Sequence, residues 1–118
     1  MTLATVRLEH HDGMPVVFLD GDVDAANADR VGDDLALAVT NRDAALIVVL
    51  SDARYFDSAG INLLFRLHEQ LWSRRQRFGL VLGPSARLRK VLELSGVLTT
   101  IPVWEELEAA LAGIRIDE

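Results

Sequence analysis

The chain contains no cysteine among its 118 residues. Disulfides, thiolate metal sites and thiol catalysis are therefore excluded. Long hydrophobic runs are missing too. The longest, Ala44 to Leu50, is far short of the roughly 20 residues a membrane span needs. Met1-Thr2-Leu3-Ala4-Thr5-Val6-Arg7 has neither the basic start nor the apolar stretch of a signal peptide. A soluble, cytoplasmic protein without membrane insertion is expected. No Gly-x-x-x-x-Gly-Lys and no Gly-x-Gly-x-x-Gly occurs, so the glycine loops that cradle phosphates are absent. Positive charge is scarce as well: 12 Lys and Arg stand against 18 Asp and Glu, a net charge of −6. That argues against direct nucleic-acid binding, which needs cationic surface for phosphate contacts. The charge is unevenly placed. Asp20, Asp22, Asp24, Asp29, Asp33 and Asp34 cluster early, and Arg74, Arg75, Arg77, Arg87, Arg89 and Lys90 cluster late. The basic set reads as solvated helix faces.

What is present is a composition 50% hydrophobic, enough for one domain, residues 1–118, with a real core. Thr5 to Glu9 alternates apolar and polar residues, as a strand with one wet face does. Asp12-Gly13 signals a turn, which puts His10 and His11 at a hairpin turn, and Pro15 opens a second strand, Val16 to Leu19. Asp24 can cap a helix whose inner stripe is Ala28, Val31, Leu35 and Ala38. Ala44 to Leu50 is uninterrupted, β-branched and apolar, a strand buried on both faces. A helix from Ser58 to about Arg75 follows, with Ile61, Leu64, Phe65, Leu71 and Trp72 at helical spacing. Phe78 to Leu82 is another strand. Gly83-Pro84-Ser85 opens a third helix through Leu88, Val91, Leu92 and Ser95, closed by Gly96. Thr99 to Val103 reads as the last strand, and a helix from Glu105 to Ala112 ends at Gly113.

After the first strand this is β-α repeated four times. The expected fold class is α/β: a mainly parallel sheet of four β-α units with an antiparallel N-terminal edge strand. Right-handed crossovers between neighbouring strands keep the helices predominantly on one face. Functional residues in such sheets belong at the carboxyl ends of the strands. Asp20-Gly21-Asp22 and Asp52 to Ser58 are those ends, so the two loops are expected side by side.

Ser58 therefore stands at a helix start, where free backbone N–H groups and the helix dipole welcome negative charge. There it can be a cap, a nucleophile or a phosphoacceptor. Catalysis finds no constellation: Phe56 stands two before Ser58 instead of the glycine of a nucleophile elbow, and Asp57 is adjacent to it. His68 falls near the apolar side of its helix. Metal binding is no stronger, because adjacent His10 and His11 point to opposite faces of a strand. Asp20, Asp22 and Asp24 alternate like calcium ligands but lack the distal glutamate. No catalytic residue, metal or cofactor is expected. The cap and phosphoacceptor readings are compatible, and on physical grounds alone the cap is the ordinary one.

The order of elements, the Gly21-Asp22-Val23-Asp24 loop, and Asp57-Ser58-Ala59-Gly60-Ile61 opening the second helix together resemble the STAS domain, the fold of bacterial anti-sigma factor antagonists. The resemblance runs from about Leu3 to Gly113 and includes Leu92-x-x-Ser95-Gly96 and Trp104-Glu105-Glu106-Leu107. It implies that Ser58 is phosphorylated by a partner that is both serine kinase and anti-sigma factor. The unphosphorylated form binds that partner and frees a sigma factor, phosphorylation breaks the complex, and a serine phosphatase resets it. Ala59 stands where the family usually has serine or threonine, and Asn62 where it has glycine or alanine. Both lie beside the acceptor and bear on partner choice.

At about 100° per residue, Ser58, Asn62, Arg66 and Glu69 fall on the helix side away from Ile61, Leu64, Leu67 and Leu71. By spacing alone this strip is an ordinary solvated helix face; the resemblance implies that it is where a kinase docks, with Asp22, Asp24, Asp57, Ser58, Asn62 and Arg66 as the expected partner-binding residues. Similar domains also serve as interaction modules in stress-signalling assemblies or lipid-transport ABC complexes, without sigma-factor control. Monomer and weak dimer are both open.

Overall fold

A computed structural model describes residues 3–116. The chain begins with a hairpin of β1 (Thr5–His11) and β2 (Met14–Val23), antiparallel from Thr5↔Asp20 to His11↔Met14. The turn is Asp12-Gly13, both with positive φ of 54° and 80°, as a two-residue primed hairpin turn requires. His10 and His11 were expected in that turn. They are strand residues instead, because two residues suffice to reverse the chain.

The remaining strands add to β2 in parallel. β3 (Ala45–Val49) pairs with β2, β5 (Arg77–Val81) with β3, and β6 (Val103–Trp104) with β5. The sheet order is β1-β2-β3-β5-β6, with β4 (Ala53–Phe56) joining the far end of β2. Every residue of β3 is buried, which matches its continuous apolar run. The expected fold class stands, including the antiparallel edge strand.

α1 (Ala28–Ala38) buries Ala28, Val31, Leu35 and Ala38, the stripe read from the sequence. α2 (Ser58–Ser73) buries Gly60, Ile61, Leu63, Leu64, Leu67 and Leu71. Trp72 does not join this stripe: it is 74% exposed. α3 (Arg87–Leu94) contributes Leu88 and Leu92, while Val91 is exposed. These side chains meet Val17, Leu19, Leu46, Val48, Leu80 and Leu82 in the larger core, on one face of the sheet.

The last helix, α5 (Leu107–Ile116), lies on the other face. Its Ala110 and Ile114 cover Met14, Val16, Ala45, Ile47, Val49 and Val81. Crossover handedness constrains only helices that connect two parallel strands. Among the described residues no strand follows α5, and it covers the second apolar face instead.

Two C-terminal expectations fail for identifiable reasons. Thr99 to Val103 is not one strand. Val97–Thr100 forms the short helix α4, and only Val103–Trp104 pairs with β5. Val97 and Ile101 are buried at i and i+4, the Ile101 amide donates to the Val97 carbonyl (2.8 Å), and Pro102 stops the turn. Gly113 does not end the last helix either. A Cβ there would lie 2.5 Å from Nε1 of Trp104, and one on Gly79 would lie 2.6 Å from its Cζ3. The two glycines form a slot for that indole, so Gly113 is placed by packing and not by capping.

The late basic cluster is only partly a solvated surface. Arg77, on β5, donates to the Ile114 carbonyl (2.9 Å), and Arg89 donates to the Leu82 carbonyl (3.1 Å). Among the described residues, no helix is long and apolar enough to cross a membrane.

Gly60 explains how closely α2 approaches the sheet. A Cβ at this position would lie 2.8 Å from Cδ2 of Phe56, itself buried on β4. Gly60→Val is expected to destabilise the fold by about 2 kcal/mol or more, beyond any propensity effect. Thermal or denaturant unfolding checks this, and an unchanged or raised midpoint would refute the packing argument.

Candidate functional site

The carboxyl ends of β2 and β4 meet through the backbone. The Gly21 amide donates to the Asp52 carbonyl (3.1 Å), Asp22 pairs with Tyr55 and Val23 with Phe56. The register shifts between Gly21 and Asp22. Gly21 has φ +96°, and a Cβ there would collide with the backbone of Leu3, so only glycine fits this bend. The two loops thus lie side by side, as the strand order required. The strand β4 between them was not expected. At 4 residues, with Tyr55 and Arg54 exposed, it carries too little apolar pattern to announce itself.

The cap of α2 is Asp57, not Ser58. Asp57 is extended, and its Oδ1 accepts from the amides of Ala59 (2.8 Å) and Gly60 (3.2 Å). Its own carbonyl takes the first helical bond, from the Ile61 amide at 3.0 Å. The second carboxylate oxygen accepts from the Ala25 amide at 3.2 Å. One carboxylate therefore fastens the start of α2 to the loop between β2 and α1. Ser58 is left as the first residue of the helix, exposed, and its hydroxyl makes no hydrogen bond among the described residues.

Asp24 does not cap α1 directly. Its Oδ1 accepts from the Ala26 amide (2.9 Å), and its carbonyl accepts from the amides of Asn27 (3.2 Å) and Ala28 (2.8 Å). Asn27 closes the turn: its Oδ1 accepts from the Asp24 amide (3.0 Å), and its Nδ2 donates to the Asp22 carbonyl (2.9 Å). Asn27 was missed from sequence, although Asp-x-x-Asn before a helix is a recognisable turn pattern. Side-chain hydrogen bonds that satisfy the loop's own backbone hold it rigid.

Asp22, Asp24 and Asp57 are half-buried, and none forms an ion pair among the described residues. Three carboxylates without a salt-bridge partner therefore bring negative charge to the loops around Ser58. Asn62, Arg66 and Glu69 are exposed along α2. With Ala25, Asp29 and Phe65 they line a groove between α1 and α2. A larger hollow opens between β4 and α3, lined by Asp22, Arg54, Tyr55, Arg87 and Val91.

The histidines lie elsewhere. His68 is nearly three turns down α2, about 15 Å along the axis from Ser58, with its ring 6.2 Å from that of Trp72. His10 and His11 are at the opposite end of β2, by the hairpin turn. Among the described residues, no group of three or more His, Asp or Glu is placed to hold a metal ion.

Comparison with known proteins agrees with this architecture. The family model for the STAS domain matches residues 5–110. BtrV of Bordetella bronchiseptica, named as a candidate anti-sigma factor antagonist, is 33% identical over 111 residues, covering 93% of this chain and 94% of that protein. RsfB of Mycobacterium tuberculosis, an anti-sigma-F factor antagonist, is 27% identical, covering 94% of this chain and 89% of its own. The crystal structure of an anti-sigma factor antagonist from Mycobacterium paratuberculosis superposes with a TM-score of 0.84 at 29% identity, over 96% of this chain and 95% of that one. The family model spans residues 5–110 and the architecture superposes on an antagonist along nearly its whole length, so the chain belongs to the STAS domain family.

Proposed function

We propose that this protein is an anti-sigma factor antagonist whose partner binding is switched off by phosphorylation of Ser58. In its unphosphorylated form it binds an anti-sigma factor that is also a serine kinase, and so releases a sigma factor. A serine phosphatase restores the binding form. The observation that carries the proposal is the position of Ser58: first in α2, exposed, and relieved of capping by Asp57.

Each part of that geometry serves the switch. An exposed hydroxyl at a helix start can enter a kinase active site without unwinding the helix. The phosphate it receives carries about −1.5 to −2 charges. The positive end of the helix dipole tolerates that charge locally. Asp22, Asp24 and Asp57 face it with like charge, so the modified surface becomes strongly acidic. Burying it against a partner shaped for a neutral serine costs several kcal/mol, enough to lower affinity by orders of magnitude. No rearrangement of the core is needed.

The partner surface extends down α2 through Asn62 and Arg66, because a kinase that reaches Ser58 must lie against the exposed side of the helix. Asn62 is one turn from Ser58 and replaces a residue usually small in the family. It is placed to discriminate between partners.

Phosphorylation by the cognate kinase, mapped by mass spectrometry, is expected at Ser58. Modification confined to Ser51, Ser73, Ser85 or Ser95 would overturn the assignment. Ser58→Ala is expected to keep partner binding and lose its regulation, and Ser58→Asp to weaken binding.

The docking surface has a separate check. Asn62→Ala and Arg66→Glu, each with unchanged melting behaviour, are expected to weaken the complex about tenfold, or ~1.4 kcal/mol. If both variants titrate like the parent protein, the partner docks elsewhere and only the Ser58 assignment survives.

A further inference from the structure

The other end of the sheet order carries a second interaction surface. Among the described residues β1 pairs only with β2, which leaves its outer edge open. Its pairing phase follows from the hairpin. A two-residue turn closes on a hydrogen-bonded pair, here His11 and Met14. Counting back in twos, Thr5, Arg7, Glu9 and His11 direct their amide and carbonyl groups to β2. Val6, Leu8 and His10 direct theirs outward. Strand edges of this kind are templates for another strand unless shielded.

Edge charges often provide that shield, but here the signs alternate about a centre. Reading Val6-Arg7-Leu8-Glu9-His10, an arginine and a glutamate flank Leu8. Arg7 and Glu9 lie on the α5 side of the sheet and pair with each other, and the Arg7 guanidinium sits 4.3 Å above the Phe18 ring. Leu8, opposite Val17, lies on the α1 side and is 45% exposed. Leu37, on α1 over the same side, is 80% exposed. The edge thus offers unpaired backbone, opposite charges on one side and exposed leucines on the other.

We infer that β1 is a homodimerisation edge, in which two copies pair antiparallel about a two-fold axis through Leu8. In that register Leu8 meets Leu8 of the second copy in a hydrogen-bonded pair, and Val6 meets His10 in both directions. Arg7 of each copy faces Glu9 of the other in the closely spaced, non-hydrogen-bonded pairs, where side-chain contact is strongest. The strand is therefore self-complementary in charge, as an isologous interface requires. A parallel pairing in register would instead set like charges side by side. The two sheets become one, with their β2 strands running in opposite directions. The Ser58 loops then stand at opposite ends of the joined sheet and remain free to bind a partner each.

The test uses the full chain. Sedimentation equilibrium across rising concentration is expected to show reversible association from 13.0 kDa to twice that mass. Arg7→Glu places glutamates opposite each other twice and is expected to weaken the dimer about tenfold or more. Leu8→Lys, at an exposed position on the axis, is expected to weaken it similarly. The exchange Arg7→Glu with Glu9→Arg restores complementarity and is expected to recover most of the affinity. Circular dichroism confirms that each variant is folded. A protein that stays monomeric throughout overturns the proposal. So does a dimer indifferent to both single variants, or a charge exchange no better than Arg7→Glu alone.

Discussion

One carboxylate, that of Asp57, holds the functional end of this molecule together. It accepts from Ala59 and Gly60 at the start of α2 and from Ala25 in the facing loop. A cap of this kind contributes about 1 kcal/mol to a helix on its own. Here the same group also sets the separation of two loops that belong to different β-α units. The backbone reinforces it, since the Asp57 amide donates to the Val23 carbonyl at 3.2 Å. Remove the carboxylate and two helix amides lose their acceptor while the Ala25 amide loses its only described one. The position of Ser58 follows from this arrangement. Because Asp57 does the capping, the serine hydroxyl projects into solvent with no structural duty.

That division of labour suits the proposed switch. A serine that capped its own helix would have to break a hydrogen bond to be modified, and its phosphate would disturb the helix start. At the first helical position the modification adds charge and leaves the cap in place. Asp22, Asp24 and Asp57 keep the neighbourhood negative beforehand, so the added charge acts chiefly on a partner's surface. The close seat of α2 on β4, enforced by Gly60 against Phe56, keeps the site from yielding to that repulsion by moving the helix.

Much of the fold was legible because the sequence carries it redundantly. The α1 stripe is read from spacing alone, and the all-buried β3 from an unbroken β-branched run. The adjacency of the two loops follows from topology, since strands that are neighbours bring their carboxyl ends together. What escaped depends on contacts between residues distant in sequence, or on one-residue choices. Asp57 and Ser58 are both good caps, and which one takes the task is decided by the facing Ala25 amide. Gly113 looks like a helix stop until Trp104 is seen lying against it and Gly79. Trp72 fits a helical stripe by spacing, yet it stays largely in solvent beside His68. The face that α5 takes was not legible, because no crossover rule covers a helix that follows the last described strand.

The central claim is that charge at Ser58 acts on a surface held fixed by Asp57. Amide exchange and chemical shifts of the protein carrying phosphoserine at position 58, compared with the unmodified protein, test it most directly. The account predicts shifts confined to the loop from Asp22 to Asn27 and the first two turns of α2, with the Ala25, Ala59 and Gly60 amides still protected. Shifts spreading through β3 and β5, or loss of protection at those three amides, would contradict it and mean that phosphorylation refolds the site.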